Sequence, residues 1–158
     1  MSFRGEVVSI HIGDKSQPLP LIESVQAVAG EGLVGDRYGG KAGADSKKPG
    51  PDQEITLIEI EALEGLTREY ETSITAAQSR RNVATRGVPL NHLVGKQFRI
   101  GGAVVLGIRL CEPCGHLEKL NGNFKLREGL KHRGGLRAQI LSGGTIRTGD
   151  VVEPVKLK

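Results

Sequence analysis

The sequence predicts a mainly β fold: a closed or nearly closed β-barrel with a few short helices, forming a single domain over residues 1–158. Three observations lead there. The 23 Gly and 7 Pro among 158 residues are turn formers, which excludes a long-helix bundle or coiled coil. β-Branched residues gather in short runs bounded by Gly or Pro. A length near 150 residues favours one domain with one core, large enough to stand without disulfide staples.

Taken in order, GEVVSIHI at 5–12 and PLIESVQAVA at 20–29 read as strands. The run from Gly30 to Gln53 is rich in Gly, Pro and Lys and cannot hold a helix. A structureless segment of that length inside a small domain is a candidate functional loop. EITLI follows as a strand. Ile60, Leu63, Leu66 and Tyr70 then fall three and four apart, one face of an amphipathic helix from Glu59 to Tyr70, although Gly65 weakens it. RRNVATRGV reads as a short strand and turn, and Pro89 to Val94 as a helical turn. KQFRI and AVVLGIRL flank Gly101 and Gly102, the signature of a tight hairpin, which delivers the chain to CEPC. Short helical pieces at Leu117 to Leu120 and Phe124 to Lys131 come next. LRAQIL is then a strand, TIRTGD a turn and VVEPV the last strand. No internal repeat or second-domain boundary is visible.

The formal net charge of +4 conceals an asymmetry. Residues 1–79 hold 7 Lys/Arg against 13 Asp/Glu, and residues 80–158 hold 15 against 5. The second half is therefore the anion-facing half, unless its basic residues simply form a solvated surface. Five aromatic residues, with no Trp and no aromatic cluster for base stacking, argue against nucleic acid and leave a small anionic ligand as the better fit. The longest uncharged apolar stretch, Ile100 to Ile108, is far too short to span a bilayer. MSFRGE supplies no secretion signal. With only Cys111 and Cys114 there is no disulfide framework, so the expected location is the reducing cytoplasm.

Two glycine motifs do not survive their context. Gly30, Gly32 and Gly35 spell GxGxxG, and Gly35 to Lys41 spells GxxxxGK. No helix can open after either, and Ala42 stands where a magnesium-binding hydroxyl is needed. Turn geometry explains these glycines better.

CEPCGH carries the strongest chemical signal. A thioredoxin-like pair needs a cysteine at the start of a helix, and the strand context argues against that. A structural zinc site could draw on Cys111, Cys114, His116 and His132, but the two histidines are sixteen residues apart and no second CxxC exists. A single reactive or metal-ligating thiolate is the third possibility, since thiolates suit soft metal centres. The plain alternative is a pair of small buried hydrophobes.

These motifs, in their order, resemble the MOSC domain family. The resemblance rests on GxGLxGDRY at Gly30 to Tyr38, EITLIE at Glu54 to Glu59 and RRNxxTxG at Arg80 to Gly87. It continues through VGxxFRIG at Val94 to Gly101, PCxxL at Pro113 to Leu117 and RGGLRAxIxxGGxIxxGDxV from Arg133 to Val152. It implies a strand-rich barrel that binds the molybdenum cofactor or carries sulfur. The PCxxL match implies that Cys114 is the functional thiolate, ligating molybdenum beside the pterin dithiolene sulfurs. The RRN match implies cofactor contacts at Arg80, Arg81 and Asn82, with Asn82 reading the pterin ring. An arginine there would favour the Cys114 thiolate, and the anionic pterin agrees with the charge map. Asp36 and Arg37 are expected to fix the long loop over the site, with Arg37 among the cofactor contacts, unless the two form an internal ion pair that only closes a turn.

The resemblance also implies limits. These residues contain no pyridoxal-phosphate region to desulfurate cysteine, no second barrel, and no iron–sulfur or flavin motif. The expectation is a small oxidoreductase that reduces N-hydroxylated compounds at a Cys-ligated molybdenum, with a separate electron donor. The alternatives are a sulfur carrier holding a persulfide on Cys114, loaded by a sulfur-donor protein, and a zinc-stabilised interaction module.

Overall fold

Strands form where buried and exposed side chains alternate. In the computed structural model, which describes residues 1–13, 18–36 and 50–156, this period of two runs through β3 (Ser24–Val28), β7 (Gln97–Ile100) and β8 (Ala103–Leu110). The remaining strands are β1 (Gly5–His11), β2 (Leu21–Ile22), β4 (Gly32–Leu33), β5 (Ile55–Glu59), β6 (Val83–Arg86), β9 (Leu136–Ser142), β10 (Gly144–Arg147) and β11 (Val151–Pro154). Four short helices are α1 (Ile60–Tyr70), α2 (Ala76–Ser79), α3 (Gly115–Asn121) and α4 (Leu126–Gly129).

Seven strands close into a barrel in the order β1, β6, β5, β9, β8, β7, β11, and β11 returns to β1 through Gly5↔Val152. Closure removes the unpaired edges that would otherwise template aggregation. β2 adds to the outside of this ring on β1. A second sheet, β10–β3–β4, contributes Val25, Leu33 and Ile146 to the barrel core. The predicted mainly β barrel with few short helices is the observed fold.

All neighbouring strands are antiparallel except β5 and β6, which run parallel with Leu57 opposite Val83. A parallel pair needs a crossover, and α1 and α2 supply it. β5 is consequently buried on both faces. Leu57 points into the barrel core, while Ile58 joins Leu63, Leu66, Leu117 and Leu126 in a smaller cluster outside the barrel wall. Each leucine buried there contributes about 1.5–3 kcal/mol. This outer layer of α1, α3 and α4 carries the cysteine segment.

The structure revises several sequence expectations. TIR of TIRTGD is strand β10, pairing Ile146 with Val25; only Thr148 to Asp150 turn, through the Asp150 N–H on the Arg147 carbonyl. The Gly30–Gln53 run contains β4 and a 3₁₀ turn at Pro51–Gln53; its residues 37–49, Arg37 among them, lie outside the described residues. Helix α2 is an addition. Thr75 and Gln78 form a reciprocal capping box, with Gln78 N–H on Thr75 Oγ1 (3.1 Å) and Thr75 N–H on Gln78 Oε1 (2.8 Å). Gly65, which weakened the case for α1, has a packing cause: a side chain there would run into the Arg133 guanidinium.

Candidate functional site

The hairpin about Gly101 and Gly102 forms as expected, and β8 runs from it to the cysteines. Cys111 follows the strand end and donates its N–H to the Gly135 carbonyl (2.7 Å). It is buried, whereas Cys114 is exposed, and both are free thiols. Cys114 lies beyond the end of β8, which stops at Leu110. It is the extended residue that starts α3 (φ −131°, ψ 170°), and its carbonyl accepts the Glu118 N–H at 3.2 Å. A chain that turns from strand to helix here leaves one thiol inside and the other on the surface.

Three devices hold this turn. Arg81, buried, donates from Nε to the Gly134 carbonyl (2.8 Å), from Nη1 to Ser79 (3.1 Å) and from Nη2 to Cys111 (3.0 Å). One planar guanidinium thus joins the end of α2, the cysteine turn and the segment before β9. Gly134 lies so close to the Cys111 carbonyl and to Pro113 that a Cβ would collide with both. Glu112 reaches outward, accepting the His132 N–H (2.7 Å) and pairing with His132 Nδ1 (3.0 Å). His132 itself is left-handed (φ 63°), and its carbonyl accepts from Asn91 Nδ2.

The predicted RRN contacts divide. Arg80 is half-buried and left-handed (φ 62°) at the end of α2, a conformation that costs about 1–2 kcal/mol for a residue with a side chain. Arg81 is occupied by main-chain carbonyls, as above. Asn82 is buried between strands: its Oδ1 accepts both Thr56 N–H and Thr56 Oγ1–H at 3.0 Å, and its Nδ2 donates to the His11 carbonyl at 3.2 Å. Its amide groups therefore serve β5 and β1 rather than a surface. Asp36 is buried and accepts the Gly13 N–H at 3.2 Å. The expected contact of Arg37 lies outside the described residues.

Sequence reasoning also missed His11. It is buried, shares a 2.8 Å hydrogen bond with Ser9 Oγ, and is held below the ordinary imidazole pKa by burial, opposed by the Leu19 main chain. The zinc set does not assemble. Cys111 points inside, His132 pairs with Glu112, and among the described residues no three His, Cys, Asp or Glu side chains gather to hold a metal ion. Among those residues, too, no helix is long and apolar enough to cross a membrane.

The fold and the site together define a small closed β-barrel that presents a single exposed thiol from its outer helical layer. A model of the MOSC domain matches residues 42–153, and the chain belongs to the MOSC domain family. No curated protein matches it. Among solved structures it is similar to the YuaD protein from Bacillus subtilis, at 21% identity and a TM-score of 0.79, covering 99% of this chain and 100% of that one. It is also similar to YiiM from Geobacillus stearothermophilus, at 18% identity and a TM-score of 0.73 over 96% of this chain and 75% of that one. YiiM from Escherichia coli, at 18% identity, gives 0.70 over 100% and 71%. Likenesses at this identity speak for the fold.

Proposed function

We propose that this chain binds the molybdenum cofactor through Cys114 and acts as a small oxidoreductase on N-hydroxylated compounds, drawing electrons from a separate donor protein. The observation that carries this reading is the exposed Cys114 thiol on a braced turn, in a member of the MOSC domain family. The residues present fit the group. The exposed Cys114 sulfur belongs to no group of three His, Cys, Asp or Glu side chains among the described residues, a donor set that suits a metal whose other ligands come with its pterin. The main chain beside it is bare, because a Cβ on Gly115 would meet nothing within 4 Å. When bound, the cofactor supplies two-electron chemistry at molybdenum.

The chain's own residues do the rest. Cys114 supplies the thiolate, and Arg81, Gly134 and Glu112 fix the turn that presents it. In this reading Arg80, half-buried where Arg81 and Asn82 are buried, meets the pterin's negative charge. Cys111 stays inside and does not compete for metal.

The test is metal analysis of protein from a molybdenum-replete host. Wild type should carry molybdenum, and Cys114→Ser should lose it. Equal content in the two, or none in either, ends this reading. A second reading, a persulfide carrier, draws on the same observation that Cys114 is an exposed free thiol. It requires cyanide-labile sulfur on Cys114 after incubation with a cysteine desulfurase, and its absence would exclude it.

A further inference from the structure

β8 and β9 set two arginines against each other: Arg109 and Arg137 are register partners across the pair. Leu136 and Ala138, on either side of Arg137, face the barrel core, so Arg137 stands on the outer wall. Opposite residues on antiparallel strands hold their Cβ atoms about 4.5–5.5 Å apart, and like charges so placed repel. Both side chains also converge on one residue of the 3₁₀ turn. Arg109 Nε donates to the Asp52 carboxylate at 2.9 Å, and Arg137 Nη1 donates to the Asp52 carbonyl at 3.4 Å.

This arrangement leaves charge and donors over. Among the described residues the two guanidiniums share the one Asp52 carboxylate, and the Arg109–Asp52 pair lies at the surface, where ion pairs hold weakly. Arg137 Nε is buried and, among those residues, has no hydrogen-bond partner, a rare condition in a native fold. The neighbouring acceptors are taken. Thr56, opposite Arg137 on β5, exchanges hydrogen bonds with Asn82, and Glu54 Oε1 accepts the Gly30 and Ile140 N–H groups. We infer that Arg109 and Arg137 form a binding site for a phosphate group, with the Arg137 Nε–H as the donor kept for it. Guanidinium groups present paired N–H donors at the spacing of phosphate oxygens, and a doubly charged anion answers both arginines at once. The excess of basic residues in 80–158 thus has a local focus. Neither cysteine takes part, so the inference does not rest on Cys114.

The experiment titrates the full-length chain with inorganic phosphate in a calorimeter, at fixed ionic strength and with chloride as the control anion. Wild type should bind one phosphate per chain. Arg137→Gln and Arg109→Gln should each weaken binding about tenfold or more, the worth of a lost charged hydrogen bond. Asp52→Asn should tighten it about threefold or more, because the competing carboxylate is gone. A variant that gains affinity is folded, so that arm decides even where an arginine variant unfolds. No binding by wild type overturns the inference. Equal affinity in Arg137→Gln, or no gain in Asp52→Asn, means an adventitious ion only and also overturns it. Repeating the titration on protein from a molybdenum-replete host identifies the source of the phosphate. If the loaded wild type no longer takes up inorganic phosphate and Arg137→Gln carries less molybdenum, the group belongs to the anionic pterin. If the loaded protein still binds phosphate and the variant carries as much molybdenum, the site serves a separate phosphate ligand. If wild type carries no molybdenum, the cofactor reading fails and the phosphate titration still decides this one.

Discussion

Replacing Arg81 by alanine would remove three hydrogen bonds at once and leave the carbonyls of Ser79, Cys111 and Gly134 without that donor. A hydrogen bond to a charged group contributes about 1.5–3 kcal/mol, but three made by one side chain do not add in full. The released carbonyls regain water as the turn loosens, so the expected loss is about 3–5 kcal/mol, the range found when one partner of a buried charged set is cut away. In a chain of this size each kcal/mol moves the midpoint by about 2–4 °C, so Tm should drop by roughly 6–20 °C. Urea unfolding gives the free energy directly, and an unchanged m-value would show that the same surface is exposed. Arg81→Lys should recover only part of the loss, because one ammonium cannot address three carbonyls arranged around a planar fork. A loss under about 1 kcal/mol for Arg81→Ala, the size of an average substitution, would refute the idea that Arg81 braces the turn.

Two further outcomes follow from the buried polar residues. His11 has a pKa lowered by burial, so the stability it confers is present above the unfolded value of 6.5 and is lost as pH falls through 6.5 towards the folded value. Glu59 slopes the other way: burial and Glu61 raise its pKa, so its contribution fades as pH rises through the acid range above 4.5. Urea midpoints at pH 7.5 and 5.5 should therefore fall on acidification, by no more than about 1.4 kcal/mol per pH unit for the one proton, and His11→Gln should flatten that change; an identical pH dependence in the variant would remove His11 as its source. Asn82→Ala should destabilise the cofactor-free protein by about 2–4 kcal/mol, since Thr56 N–H and the His11 carbonyl lose their partner. If only cofactor retention fell and urea stability stayed the same, Asn82 would be a ligand contact and not a pin between strands.

Much of the fold was legible because it is written in local period. Barrel strands β7 and β8 show alternation, the hairpin between them shows Gly101–Gly102, and α1 shows its apolar spacing. The parallel β5–β6 pair was not legible, because it depends on where a crossover lands and not on either strand's composition. α2 could have been found from Thr75 and Gln78, a capping-box signal three residues apart. β10 was lost because its four residues adjoin a true turn at Thr148 to Asp150. At the site, spacing pointed to both cysteines and the PCxxL resemblance singled out Cys114, but neither told which one is exposed. That depends on the chain leaving β8 at Leu110 and entering α3 at Gly115, with the turn between them held from a distance by Arg81.

The three residues Arg80, Arg81 and Asn82 show how neighbours in one motif take different structural tasks. Residue type supplies a donor inventory and no direction. Direction comes from backbone geometry, and here the left-handed Arg80 ends α2 while Asn82 enters the barrel wall before β6. The chain must turn inward between them, which buries the second arginine beneath the cysteine turn. Its charge is tolerated because three carbonyl dipoles face it, and those same carbonyls are thereby fixed in place. The motif's conformation thus assigns separate tasks: an inward arginine that shapes the turn, an asparagine that joins strands, and an outer arginine left nearer solvent. Placing a thiol on the surface and the cation that shapes its loop inside lets the barrel's rigidity reach Cys114 without covering it.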